Sequence, residues 1–341
     1  MTKIAINGAG RIGRAFYKLA SKRDDLEIVA LNDLTSIDNI AYLLKYDTAY
    51  GRSGLDIKVS DDQQNLIINN KTIRYLSEKD PATLPWADLG VDIVIESTGL
   101  FTSYEKASAH LKAGAKRVII SAPSKDDKDA PQKAVMSLIG INEADIATCA
   151  ITSNASCTTN AASPLMTILD ETIGIEKAIL NTVHGYTASQ SIVDGPSKKD
   201  FKEGRAAAQN IVPTSTGAAI AVAKVLPQLK GKFDGVSMRV PIIAGSIADI
   251  TFIAKRNTTV KEINEILKKA ATEDRWKRVF TITEDEIVSS DILGSPIASI
   301  ADLGLTKVID GNLVKVCAWY DNEAGYTAAL LEHTLVAMKN L

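Results

Sequence analysis

Residues 3–14 read KIAINGAGRIGR. An apolar run ends at Asn7, glycines follow as Gly8-x-Gly10-x-x-Gly13, and a helical pattern continues as RIGRAFYKLASKR (11–23). Strand, glycine turn and helix in that order open a dinucleotide-binding unit. The reason is steric: without Cβ atoms the backbone turns tightly and approaches a pyrophosphate, whose charge rests at the positive end of the helix. The next strand pattern ends in Leu31-Asn32-Asp33, placing Asp33 about 20 residues beyond Gly13, where an acid meets the adenosine ribose. A carboxylate there accepts hydrogen bonds from a diol and repels a 2′-phosphate, so NAD is the expected cofactor rather than NADP. The bland alternative is a plain helix-start turn with Asp33 as a cap.

Outward from this turn the first half alternates. KIAI (3–6), LEIVAL (26–31), VDIVIES (91–97), RVIIS (117–121) and CAITS (149–153) read as strands buried on both faces, with helical patterns at 11–23 and 103–115 between them. That grammar predicts a parallel sheet covered by helices. NLIINNKTIRYL (65–76) reads as a hairpin turning at Asn69-Asn70, and SKDDKDAP (124–131) as a solvated loop.

From about residue 157 longer alternating strands appear at 177–186, 232–240, 248–255 and 313–320, with helical patterns at 215–225, 259–272 and 323–338. They predict an α+β layer with a mostly antiparallel sheet. The polar stretch between Tyr186 and Val212 is long for an idle loop.

With 341 residues the chain has room for about two domains. A net charge of −2 gives no pull toward nucleic acid or an anionic membrane, and no apolar run is long enough for a span. Met1-Thr2 leads straight into KIAI, so no secretory segment is expected. The cysteines (Cys149, Cys157, Cys317) form no CxxC pair and the three histidines are scattered, so the expectation is a reducing cytosol and no metal.

SNASCTTN (153–160) sets one cysteine among small hydroxyl and amide residues. Four roles are open to Cys157: buried filler, metal ligand, redox sensor or nucleophile. A helical pattern follows it, and a helix N-terminus would lower the thiol pKa. Pro164 leaves two options, a helix that begins after Cys157 or one that kinks at 164. A nucleophile also needs a base. His184, in TVHGY, is the histidine beside polar, turn-forming residues; His110 and His333 read as surface or packing residues.

SNASCTTN together with INGAGRIGR, ESTG (96–99), PTSTGAA (213–219), MRVP (238–241) and WYDNEAGY (319–326) resembles the phosphorylating glyceraldehyde-3-phosphate dehydrogenases, along the whole chain and in family order. The resemblance implies a Rossmann NAD-binding domain over 1–156, joined by a C-terminal helix over 322–341, and an α+β catalytic domain over 157–321. It implies oxidation of glyceraldehyde 3-phosphate with NAD and inorganic phosphate, in a cytoplasmic homotetramer with no nucleic-acid or membrane partner.

By motif, Cys157 is then the nucleophile and His184 the base. Thr187 and Arg239 take the substrate phosphate; Ser156, Thr158, Thr216 and Gly217 take inorganic phosphate. The cofactor positions are Gly8, Gly10, Arg11, Ile12, Gly13, Asp33, Thr98, Gly99, Ser121 and Asn322. Leu34 and Pro196 resemble NAD-using members. Ala161 stands where many members have a second cysteine. The neighbouring readings are an erythrose-4-phosphate dehydrogenase, a non-catalytic NAD-bound thiol-reactive protein, and a cysteine hydrolase or transferase.

Overall fold

The computed structural model describes residues 1–124, 134–197, 200–339 and 341. The expected solvated loop at 124–131 therefore lies, beyond Ser124, outside the described residues. The chain divides into two compact units. Met1–Leu138, Asn142–Ala155 and Leu330–Leu341 form the first; Ile139–Ile141 and Ser156–Ala329 form the second. Residues 156 and 322–329, expected with the first unit, lie in the second. Local bonding explains this: Ser156 caps the helix that begins the second unit, and Asn322 Oδ1 accepts from Gly245 N–H at 3.1 Å.

In the first unit the strands are β1 (Thr2–Asn7), β2 (Leu26–Asn32), β3 (Tyr46–Asp47), β4 (Gly51–Arg52), β5 (Ile57–Val59), β6 (Asn65–Ile68), β7 (Lys71–Leu76), β8 (Ile93–Glu96), β9 (Arg117–Ile120), β10 (Ala134–Met136) and β11 (Ile151–Ser153). Nine of them make one sheet, in the order β10-β11-β9-β8-β1-β2-β7-β6-β5, while β3 and β4 pair separately. From β10 to β7 every pairing is parallel; β7, β6 and β5 are antiparallel. The centre is buried on both faces, as Ile4, Ala5 and Ile6 on β1 show.

The hairpin turns where expected, with Asn69 and Asn70 both in the left-handed region at φ 50° and 65°. Two such residues in a row are what a tight type I′ turn requires, and asparagine tolerates the conformation.

Five helices belong to this part of the chain: α1 (Arg11–Ala20), α2 (Ile37–Lys45), α3 (Trp86–Leu89), α4 (Tyr104–Ala107) and α5 (Ala109–Lys112). The expected helix at 103–115 is thus two short pieces. Ser108 separates them, its hydroxyl turned back to Glu105 O at 2.6 Å.

The second unit holds β12 (Ile175–Gly185), β13 (Val212–Ser215), β14 (Phe233–Val240), β15 (Ser246–Ala254), β16 (Phe280–Thr283), β17 (Ser299–Ile309) and β18 (Leu313–Tyr320) in one sheet ordered β13-β14-β12-β15-β18-β17-β16. Only the β12–β14 and β16–β17 pairings are parallel. Helices α6 (Cys157–Thr172), α7 (Ala218–Val225) and α8 (Val260–Ala271) serve this unit, with α6 packed against the sheet, α7 and α8. Helix α9 (Ala324–Met338) runs through the change of unit at Leu330. No helix among the described residues is long and apolar enough to cross a membrane.

Candidate active site

Helix α6 begins at Cys157 itself and continues through Pro164, which excludes the option of a start after Cys157. The start is fixed by Ser156, whose Oγ accepts from Thr159 N–H at 3.1 Å in an ordinary side-chain cap. Ser156 Oγ also bonds Thr159 Oγ1 at 2.7 Å. Ser153, Asn154, Ala155, Thr158, Thr159 and Asn160 are buried, so SNASCTTN is an inward-facing polar segment. Only Ser156 and Cys157 reach partial exposure.

The Cys157 sulfur lies 3.4 Å from His184 Nε2. His184 sits near the end of β12, in register with Arg239 on the parallel neighbour β14. Across that pairing Arg239 Nη1 reaches His184 Nδ1 at 2.6 Å, and the same nitrogen lies 2.6 Å from Gly185 O. One nitrogen cannot accept from a guanidinium and donate to a carbonyl at the same moment. The tautomer that leaves Nε2 able to accept a proton from sulfur is the one with its hydrogen on Nδ1, directed to Gly185 O.

Tyr320 completes the setting. Its ring stands edge-on to the imidazole, centroids 5.9 Å apart, and its hydroxyl joins Thr158 Oγ1 (2.9 Å) to Thr182 Oγ1 (2.7 Å). Through β18 this buried bridge ties α6, which carries the thiol, to β12, which carries the imidazole. Sequence reasoning missed it, because the contact joins residues far apart in the chain.

Withdrawal from water pushes the Cys157 thiol up, against Arg239, the Thr158 hydroxyl and the N–H groups of Thr158 and Cys157. The lowered thiol pKa expected from the helix terminus is therefore corrected: desolvation outweighs those donors. Desolvation, then the Arg239 charge, pushes His184 down to about 3, with Gly185 O opposing. Both directions oppose ionising either group alone. Passing the proton from Sγ to Nε2 leaves the pair's net charge unchanged and puts the thiolate at the positive end of α6.

The other residues expected to hold phosphate lie in the same unit. Thr187 Oγ1 bonds Ser189 Oγ at 3.1 Å; Thr216 Oγ1 accepts from Ala218 N–H at 3.2 Å; Gly217 precedes α7, with open space where a Cβ would stand. Asn322 is buried, its Oδ1 taking hydrogen bonds from Gly245 N–H and Ser246 Oγ, each at 3.1 Å.

In the first unit the glycine turn fits a dinucleotide. Gly8 has φ +97°, and a Cβ there would lie 2.7 Å from Thr98 N. A Cβ on Gly13 would meet Gly8 O at 2.0 Å. Around Gly10 and Gly99 a Cβ would meet nothing within 4 Å, and no side chain caps α1. A tightly packed turn thus opens onto an uncapped helix N-terminus, the arrangement a pyrophosphate needs. Arg11 is paired to Asp47 at 2.8 Å, and Ile12 follows it in the first turn of α1. Asp33 accepts from Ala9 N–H (2.7 Å) and Thr35 N–H (2.9 Å), so it also braces the turn. Thr98 bonds Glu96, and Ser121 N–H donates to Glu96 O at 2.9 Å. His110 and His333 are both fully buried. Among the described residues no group of histidine, cysteine and carboxylate side chains is arranged to hold a metal.

Residues 2–104 match the family model "Glyceraldehyde 3-phosphate dehydrogenase, NAD binding domain", and residues 156–322 match its "C-terminal domain". The chain belongs to the glyceraldehyde-3-phosphate dehydrogenase family. Relatives bearing that enzyme name include one from Streptomyces coelicolor, 48% identical over 336 residues that cover 98% of this chain and 97% of the relative. Others come from Geobacillus stearothermophilus (47% over 332 residues; 97% and 96%) and Clostridium pasteurianum (46% over 336 residues; 97% of each). The chain is thus an NAD-dependent oxidoreductase of the glyceraldehyde-3-phosphate dehydrogenase family, with the two-part fold that its motifs implied.

Proposed function

We propose that this dehydrogenase oxidises glyceraldehyde 3-phosphate with NAD and inorganic phosphate to 1,3-bisphosphoglycerate, through an acyl group held on Cys157. The observation that carries the reading is the 3.4 Å approach of the Cys157 sulfur to His184 Nε2 at the first residue of α6. An aldehyde is a poor hydride donor until a nucleophile adds to its carbon. Cys157 gives its proton to His184 as its sulfur attacks, producing a tetrahedral hemithioacetal. The Cys157 backbone N–H, at the first turn of α6, would stabilise the oxygen charge. His184 returns the thiol proton to the oxygen, completing the neutral hemithioacetal, and takes it back as the carbonyl re-forms and the hydride leaves the carbon; bound NAD would supply the hydride acceptor. The resulting thioester is attacked by a phosphate oxygen, the C–S bond breaks, and sulfur leaves as thiolate.

Arg239 and Thr187 would hold the substrate phosphate. The crowding at His184 Nδ1 supports this, because an anion that draws the guanidinium away leaves that nitrogen to Gly185 O. Ser156, Thr158, Thr216 and Gly217 would take the attacking phosphate with hydroxyl and backbone donors. For NAD, the 8–13 turn with Arg11 and Ile12 would hold the pyrophosphate and Asp33 the ribose. Thr98, Gly99 and Ser121 would flank the cofactor, and the donor end of Asn322 would meet the nicotinamide carboxamide.

The division of labour we assign gives cofactor binding to 1–156 with the last helix, and chemistry to 157–321. We assign a homotetramer from the family; association between copies is supported by the open face of the second sheet, where Ile179 and Val236 are 58% and 44% exposed while Leu180 and Ser237 beside them are buried. Three free cysteines suit a reducing cytoplasm.

The test is NADH formation from glyceraldehyde 3-phosphate with and without phosphate or arsenate, and with erythrose 4-phosphate as the competing substrate. Sustained turnover that needs phosphate or arsenate supports the reading. Faster turnover of erythrose 4-phosphate, or turnover indifferent to phosphate, contradicts it.

A further inference from the structure

Beneath the cofactor turn of the first unit lies a buried polar network that the proposed chemistry does not use. Glu96 ends β8 and is 1% exposed. Its Oε2 accepts from Asn7 Nδ2 at 2.6 Å and lies 3.0 Å from His110 Nε2; its Oε1 accepts from Thr98 N–H at 2.8 Å and from the Thr98 hydroxyl. Asn32 Nδ2 donates to Asn7 Oδ1 at 2.7 Å. Trp86 Nε1–H donates to His110 Nδ1 at 2.9 Å. Indole is a donor only, so His110 Nδ1 is an acceptor and the ring's hydrogen sits on Nε2, aimed at Glu96.

A buried carboxylate is expensive, and an apolar residue at this position would serve packing alone as well or better. Its location suggests what it does. Ligands of parallel α/β sheets bind beyond the carboxyl ends of the strands. Asn7, Asn32 and Glu96 are the last residues of β1, β2 and β8, and each directly precedes a cofactor position or the loop that carries one. Gly8 follows Asn7, Asp33 follows Asn32, and Thr98–Gly99 follow Glu96 by one residue. Short backbone links continue the same bracing: Gly8 N–H to Asn32 O at 2.8 Å, and Ser97 Oγ to Gly8 O at 2.7 Å.

We infer that His110 is a positioning residue for NAD: held by Trp86, it orients Glu96, and Glu96 sets the spacing of the three loops at Gly8, Asp33 and Thr98. The inference rests on the cofactor placement proposed above. It adds a residue on α5 that touches no cofactor position itself.

The experiment measures NAD dissociation constants calorimetrically on the full-length protein. His110→Leu should raise the constant about tenfold. His110→Gln should restore it to within about twofold of wild type, because one amide can accept from Trp86 and donate to Glu96. The rate of Cys157 alkylation without NAD should be the same in all three. Equal weakening by Leu and Gln would reduce His110 to packing and overturn the inference, as would a folded His110→Leu protein with unchanged affinity. Should the Leu variant fail to fold, Glu96→Gln gives the second arm. Its amide nitrogen cannot accept the donors now shared by two oxygens, so a similar weakening is expected, and unchanged affinity overturns the inference. Asp33→Ala separates the two levels. If it weakens NAD while the His110 and Glu96 variants do not, only the network's role falls; if it leaves NAD binding unchanged, the cofactor placement falls with it.

Discussion

The Cys157 sulfur and His184 Nε2 stand 3.4 Å apart, one on the first residue of a helix and the other near the end of β12 in the sheet that the helix packs against. The distance matters because burial disfavours either charge by itself, so in the proposed chemistry the thiol becomes reactive by handing its proton to the imidazole. His184→Asn removes the acceptor while keeping a polar side chain. Turnover should fall by about 10²- to 10⁴-fold, the usual share of general acid–base catalysis. A loss under about fivefold in steady-state assays would mean that another group is the base.

Cys157→Ser should abolish aldehyde oxidation and leave NAD affinity within about twofold. The same thiol should be the one labelled by iodoacetamide, because Cys149 and Cys317 are both buried. For Cys317 burial and the Asp249 charge push the thiol up to about 12. Peptide mapping that finds label mainly on Cys149 or Cys317 would count against this assignment.

Gly13→Ala tests the turn. The added methyl would lie 2.0 Å from Gly8 O, a backbone atom that cannot move without moving the loop. Overpacking of this kind costs about 2–3 kcal/mol, and NAD affinity should drop with it. Urea unfolding and calorimetry on the same protein check both; a variant of wild-type stability would show that the turn has slack.

Asp33→Ala should narrow the preference for NAD over NADP, since it removes the charge that repels a 2′-phosphate. It should also weaken NAD, because the carboxylate braces Ala9 N–H at 2.7 Å. Dissociation constants for both cofactors decide the point, and an unchanged ratio would remove Asp33 from cofactor selection.

The pH dependence of stability follows from two buried imidazoles. Desolvation, with Arg239 added for His184, holds both His184 and His333 down at about 3. Between about pH 3 and the ordinary 6.5 the unfolded chain binds protons at these sites and the folded protein does not. Their contribution is therefore complete above 6.5 and is lost as pH falls toward 3, each at up to about 1.4 kcal/mol per pH unit. His333→Gln removes one such site. Its stability, whatever its value at pH 7, should decline less steeply than wild type between pH 6.5 and 5. Parallel curves in urea titrations would contradict the burial effect.

Much of the fold was legible because local signals agreed. The glycine turn, the two-sided apolar strands and the Asn69-Asn70 hairpin are written in short stretches whose chemistry admits few conformations. β17 was not legible: Gly304 interrupts its alternation, and its register with β18 shifts between Asp302 and Lys307. At the site, Cys157 and His184 could be picked out by residue type, yet their approach could not. The start of α6 was ambiguous until Ser156 was seen to cap it. No local mark gives the contacts of Tyr320, Glu96 and His110, because these depend on the packing of α6 that brings Thr158 to Tyr320 and on the strand order that brings Asn7 to Glu96. Ala155, at φ +55° two residues before the thiol, is likewise invisible in sequence.

The central claim is that oxidation energy is held on Cys157 as a thioester before phosphate takes it. Mixing enzyme, NAD and glyceraldehyde 3-phosphate without phosphate, then quenching in acid for intact-mass and peptide analysis, reads this directly. A burst of NADH matching the number of active sites, with an acyl adduct on the Cys157 peptide that disappears when phosphate is added, is the expected result. NADH formed with no adduct on Cys157, or formed equally well by Cys157→Ser, would contradict it.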